Sequence, residues 1–153
     1  MARHNTGDNK IFACSLYFDT LAREIAVPVA IACSMQGMVT GADALRDCKA
    51  IFDTGATSSM ISSDIAHALG LQSIDTALVT GIHGTERVAI YTVDVRFKGG
   101  FILSSLKVAE ADAGAGFDIL LGMDVIARGA MLLSSHDKRT LFAFFYPQNA
   151  NNQ

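Results

Sequence analysis

In the stretch AIFDTGATSSMIS, residues 50–62, two apolar residues run straight into a carboxylate, Asp53. Thr54, Gly55, Ala56 and a Thr/Ser cluster that begins at Thr57 follow. A buried strand that ends on an acid demands a reason, because an ionised carboxylate is costly to take out of water. Three chemistries place an Asp there. One is phosphoryl handling, in which the Asp accepts a phosphoryl group or holds Mg²⁺. Such a site needs a second acid two residues on or a Lys beside the nucleophile, and this chain has Gly55 and Thr54 there. It also lacks a G-x-x-x-x-G-K-[ST] phosphate loop. The second is structural: a strand-end Asp forms a turn by accepting from amides two residues on. The third is half of a carboxylate pair, in which two close acids share one proton. One acid is then the base for a water and the other donates to a carbonyl.

A single chain supplies that pair only if it carries the motif twice. This one carries it once: Asp75 is followed by Thr76 and Ala77, and the Asp112-Ala113-Gly114 stretch lacks an apolar lead-in. The third chemistry therefore requires a homodimer with one Asp53 from each copy at the two-fold axis. Each neighbour then has a task. Gly55 permits a tight turn and close backbone approach. The Thr54 hydroxyl can bond across the axis, and Thr57 or Ser58 can bond outward from the carboxylate.

The elements that must hold this loop read mostly as β. KIFACSLYF (10–18) and IAVPVAIAC (25–33) are apolar and partly β-branched, with Pro28 marking an edge or an irregularity in the second. MQGMVTGADALRDC (35–48) reads as a long hairpin or loop and KAIFD (49–53) as a short buried strand. In RVAIYTVDVRF (87–97), Ala89, Tyr91, Val93, Val95 and Phe97 share one face, with Thr92, Asp94 and Arg96 on the other. Gly99-Gly100 turns into FILSSLKVAE (101–110), and FDILLG (117–122) and TLFAFFYP (140–147) complete the strands. Two short helices are expected: SSDIAHALGL (62–71), with a Ser cap and Gly70 as its stop, and MDVIARG (123–129), also ended by a glycine. Many short strands with two short helices specify an all-β, barrel-like domain.

With 153 residues, half of them apolar and 18% charged, the chain is long enough for one packed core and is not a disordered polymer. The expected organisation is a flexible segment 1–10, a single domain 11–147 and a flexible tail 148–153. A net charge of -3 without a Lys/Arg cluster speaks against nucleic acid or an anionic membrane as partner. The apolar runs fall well short of the roughly 20 residues a spanning helix needs. The polar N-terminus has no signal-peptide pattern, so a cytoplasmic location is expected. Cys14, Cys33 and Cys48 have neither C-x-x-C spacing nor nearby His, and read as reduced core thiols, with a Cys33–Cys48 contact the alternative.

Three segments together resemble the retropepsin-like aspartic proteases, the retroviral enzymes and their bacterial relatives. They are AIFDTGATSSMIS with its helix, VTGIHGTERVAIYTVDVRF (79–97), and DILLGMDVI (118–126), in the family's order and similar in spacing. The resemblance implies a closed β-barrel acting as a homodimer. Asp53 would be catalytic, and Thr54, Gly55, Ala56 and Thr57 would support its loop. Gly81, Ile82, His83 and Gly84 would form a flap over an extended peptide or protein substrate. Leu121, Gly122 and Asp124 would pack behind the loop, with no cofactor and no metal. Viral members commonly carry an acid at the place of Thr57 and an Arg at that of Met123, which pair. Both are missing here together, so no unpaired charge is left behind. Asp124 is then free to cap the short helix from its first turn. The family's chain ends interleave in a shared sheet, for which 140–147 is a candidate, equally an ordinary core strand. His83 reads as an exposed turn residue ahead of a pH switch. The expected activity is endopeptidase, and the rival is a dimeric peptide-binding module that keeps the fold without turnover.

Overall fold

The computed structural model describes residues 10–34, 45–81, 84–112 and 114–148. The strands are β1 (Lys10–Phe18), β2 (Ile25–Cys33), β3 (Arg46–Phe52), β4 (Met60–Ser62), β5 (Asp75–Gly81), β6 (Gly84–Phe97), β7 (Ile102–Ala111), β8 (Ile119–Leu121), β9 (Ala130–His136) and β10 (Arg139–Gln148). Helix α1 (Ser63–Ala68) follows β4 and α2 (Met123–Ile126) follows β8.

Six strands close on themselves in the order β2-β3-β8-β4-β7-β6, because β6 pairs back onto β2 from Val29↔Phe97 to Cys33↔Val93. The all-β barrel with two short helices is thus the observed architecture. The alternation in β6 sends Tyr91, Val93, Val95 and Phe97 inward, each no more than 6% exposed. They meet Val27, Val29 and Ile31 of β2 and Ile119 and Leu121 of β8 in one core. Each such aliphatic side chain contributes about 1.5–3 kcal/mol by leaving water. Residues 84–89 of β6 leave the barrel and pair only with β5, in a ladder that runs from Asp75↔Ile90 to Gly81↔Gly84, so this hairpin projects.

Pro28 does not sit on an edge strand. β2 has β3 on one side, with Pro28↔Lys49, but its pairing with β6 begins only at Val29. The Lys49 amide points away from β2, to Asp118 Oδ2 at 2.7 Å, so the missing Pro28 N–H costs no ladder bond. Cys33 and the residue opposite Cys48, Val29, stand four positions apart on β2, about 13 Å at strand rise. All three cysteines are free, Cys33 is exposed, and burial pushes the Cys14 thiol up and that of Cys48 up to about 11.

A second sheet, β1-β10-β9, seals one end of the core. Phe142 and Phe144 of β10 are fully buried and pack on Phe52 with ring centroids 4.9 and 5.1 Å apart. Of the two roles open to residues 140–147, the core strand is the one observed: β10 lies between β1 and β9 of its own chain. The outer face of this sheet exposes Tyr17, Leu132 and Phe145.

Helix α1 begins and ends as its sequence demands. Ser62 Oγ accepts from the Ile65 amide, and Gly70, at φ +60°, closes it with Gly70 N–H to His67 O and Leu71 N–H to Ala66 O, a Schellman end.

Candidate active site

Strand β3 ends at Phe52, clamped by the aromatic cluster, so the backbone of Asp53 starts from a fixed point. Its N–H donates to Leu121 O at 3.0 Å, tying the loop to β8. The loop turns at once: Gly55 N–H donates to Asp53 Oδ1 at 2.8 Å, and Ala56 N–H to Asp53 O at 3.3 Å. A Cβ on Gly55 would lie 3.1 Å from Oδ1, so the missing side chain keeps the carboxylate in this orientation. Asp53 remains half-exposed, and Thr54 and Thr57 are exposed.

Behind the loop stand Leu121, fully buried, and Gly122. A Cβ on Gly122 would fall 2.8 Å from Ser58 C and O and 2.9 Å from Ala56 O, so only glycine fits. The first amides of α2 then bind loop carbonyls: Met123 N–H to Ala56 O at 2.8 Å and Asp124 N–H to Thr57 O at 3.2 Å. Asp124 stands in the first turn of α2, yet its side chain reaches across to Ser59, whose N–H donates to Oδ2 at 3.0 Å and whose Oγ–H donates to Oδ1 at 2.7 Å. Ser59 Oγ in turn accepts from Gly122 N–H at 3.1 Å. Asp124 therefore fastens the returning loop to α2 rather than satisfying the helix's own amides.

Ser59 is the residue that sequence reasoning missed. It is fully buried and joins Gly122 to Asp124. Its only signal was membership of the hydroxyl cluster 57–59. Asp118, likewise unflagged, joins β8 to β3 through the Lys49 amide.

Facing the loop, the β5–β6 hairpin brings Gly81 opposite Gly84, which adopts φ +121°, and Thr80 and Thr85 hydroxyls meet at 2.8 Å across it. Ile82 and His83 lie outside the described residues. Between hairpin and loop opens a cleft of about 690 Å³. Its walls come from residues 55–58 of the loop and Met60, 78–81, 86 and 88 of the hairpin, 109–111 of β7, and Asp112 and Ala115 after it. The structure thus gathers Asp53, Thr54, Gly55, Ala56, Thr57, Leu121, Gly122 and Asp124 into one layered loop, with Gly81 and Gly84 across the cleft. Among the described residues, no three His, Cys, Asp or Glu side chains converge closely enough to hold a metal ion, and no helix is long and apolar enough to cross a membrane.

No curated protein sequence matches the chain. Among solved structures, the chain is similar to a retropepsin-like aspartic protease from Rickettsia conorii, with TM-score 0.53 and 14% identity over 92% of this chain and 98% of that one. A retroviral protease-like domain of Ddi1 from Leishmania major has TM-score 0.47 and 15% identity, over 83% of this chain and 97% of that one. At 14% identity the Rickettsia likeness concerns the fold, which is retropepsin-like. The family itself comes from residues 35–125, which match the family model described as aspartyl protease. That match spans more than half the sequence and covers Asp53, its loop, the hairpin and the Gly122 support: the chain belongs to the aspartyl protease family.

Proposed function

We propose that this chain is an aspartic endopeptidase whose single domain, 11–147, works as a homodimer. The observation that carries the reading is the Asp53 loop: a half-exposed carboxylate held by the Gly55 amide at 2.8 Å, in the same loop whose residues 55–58 line the cleft under the hairpin. One Asp per chain gives a complete catalytic pair only when a second copy adds its own. In that pair one carboxylate takes a proton from water as the water oxygen bonds to the scissile carbonyl carbon. The other, protonated, gives its proton to the carbonyl oxygen. Collapse of the tetrahedral species, with proton transfer to nitrogen, releases an acid and an amine. Thr54, Gly55, Ala56 and Thr57 hold the loop, and Gly81 to Gly84, with Ile82 and His83 between them, form the flap over a substrate bound as an extended strand. Leu121, Gly122 and Asp124 brace the loop from behind.

The exposed apolar face of the β1-β10-β9 sheet supports association with a second copy. Because β10 already has both neighbours within its own chain, that association would use sheet faces or the edges of β1 and β9 that have no partner among the described residues, instead of exchanging β10.

The test is peptide-library cleavage between pH 4 and 7 by wild type and Asp53→Asn. Cleavage by wild type alone, with the variant folded and dimeric, is the expected result. Silence from a dimeric wild type would assign the chain to peptide binding without turnover, and an unfolded or monomeric variant would make Asp53 a structural residue first.

A further inference from the structure

The cleft between loop and hairpin has a one-sided chemistry. Its described lining includes the carboxylates Glu86, Glu110 and Asp112 and no Lys, Arg or His. The rest is largely apolar, with Met60, Leu78, Val79 and Val88 among the wall residues. The described ion pairs of the chain, Lys49 with Glu24 and His136 with Asp137, involve none of the three acids. Nor do the acids gather into a cation cage, so their charge is spread along the cleft. Low-dielectric walls carrying charge of one sign concentrate the opposite charge.

Glu110 differs from the other two. It is half-buried, at the end of β7, and its Oε2 accepts from the hydroxyl of Tyr91, which is itself only 6% exposed. The Tyr91 side chain is fixed in the barrel core, so the Glu110 carboxylate is held in place instead of swinging with solvent. A carboxylate has about four acceptor positions, and one phenol uses only one. The remaining capacity suits a cation. Long basic side chains match both properties of the cleft: an alkyl stem lies along apolar wall while the charged head reaches an acid.

We infer that the cleft selects peptides with an Arg or Lys side chain near the scissile bond, with Glu110 as the specificity residue, Tyr91 as its positioning residue, and Glu86 and Asp112 as flanking attraction. This rests on the peptide-binding reading of the cleft and deepens it.

The experiment screens one random peptide library twice, for cleavage by the dimeric wild type and for retention on Asp53→Asn. The best sequences are then remade with citrulline, the neutral isostere, in place of Arg. Arg peptides should exceed citrulline peptides by about ten- to hundredfold in kcat/KM or affinity, the usual strength of a hydrogen bond to a charged partner. Glu110→Gln, which keeps the side-chain shape, should bring that ratio down to a few-fold. Tyr91→Phe should raise KM for Arg peptides and leave kcat and the citrulline values unchanged, whereas a merely structural Tyr91 would lower all of them. Should Glu110→Gln fail to fold, Glu86→Gln and Asp112→Asn at exposed positions should each still lower the ratio. Basic selectivity in binding without any cleavage would uphold this inference and overturn the protease reading. Equal treatment of Arg and citrulline peptides, or no basic enrichment in either screen, would overturn the inference whatever the enzyme cleaves.

Discussion

Replacing Gly122 by Ala tests the support of the loop directly. The new Cβ would sit 2.8 Å from Ser58 C and O and 2.9 Å from Ala56 O, where ordinary contact begins at about 3.4 Å. All three atoms are backbone, so no side chain can swing aside, and loop and strand must part by roughly 0.5 Å or more. The same movement stretches Met123 N–H to Ala56 O, now 2.8 Å, and Asp124 N–H to Thr57 O, now 3.2 Å. Overpacking costs about 1–3 kcal/mol. Two weakened hydrogen bonds add about 1 kcal/mol each. The sum, roughly 3–5 kcal/mol, corresponds to a fall in Tm on the order of 10 °C for a chain of this size. Thermal unfolding followed by circular dichroism measures it. Gly81→Ala is the control, since its Cβ would meet nothing within 4 Å, and its stability should stay within about 0.5 kcal/mol of wild type. A Gly122→Ala protein melting within about 2 °C of wild type would refute the close-contact reasoning.

Ser59→Ala should cost about 2–4 kcal/mol in urea unfolding, because it leaves Asp124 Oδ1 and the Gly122 amide without the bonds they now make. A double-mutant cycle with Asp124→Ala should show coupling above about 0.5 kcal/mol, and simple additivity would mean that the two do not act as a unit. Burial and the Glu110 carboxylate push the Tyr91 phenol up to about 12 from 10.0. Its contribution is therefore complete below pH 10 and is lost as pH rises towards 12, because the unfolded chain releases the proton first. The stability gap between wild type and Tyr91→Phe should accordingly narrow between pH 9 and pH 11. Cys48, which titrates in the same range, is common to both proteins and cancels, so an unchanged gap would refute the assignment.

Where inside and outside alternate along a strand, the sequence carried the fold openly. KIFACSLYF and IAVPVAIAC became β1 and β2 with the expected limits, and the inward set of β6 is the one its period of two selects. The α1 boundaries were legible from Ser62 and Gly70, since capping is local chemistry. Strands β4, β5 and β9 carry no such pattern. β4 has three residues and exists because β7 and β8 flank it, while β5 and β9 lie outside the barrel and are mostly exposed, so no inward face imprints them. The loop showed the same division. Asp53, Gly55 and Gly122 stood out by type and spacing, whereas Ser59 differs from Thr57 and Ser58 only in being buried, a property of the folded chain. Gly129 looked like a helix stop; its Cβ would in fact collide with Phe145 O at 2.4 Å, a contact across 16 positions that spacing cannot reveal.

The pairing of β1 with β10 also sets an order of events. Lys10 lies opposite Gln148 and Phe18 opposite Thr140, so among the described elements the strand made first waits for the one made last. A ribosome adding about 5–20 residues per second needs on the order of ten seconds to travel from one to the other. Throughout that interval KIFACSLYF is an emerged apolar strand with both edges open, the kind of segment that joins to foreign strands. The hairpin of β5 and β6 can form while the nascent chain is still short, but the end of the core that β10 seals cannot. The vulnerable species in the life of this protein is thus a tethered chain whose six barrel strands are all made while its second sheet still lacks the central strand.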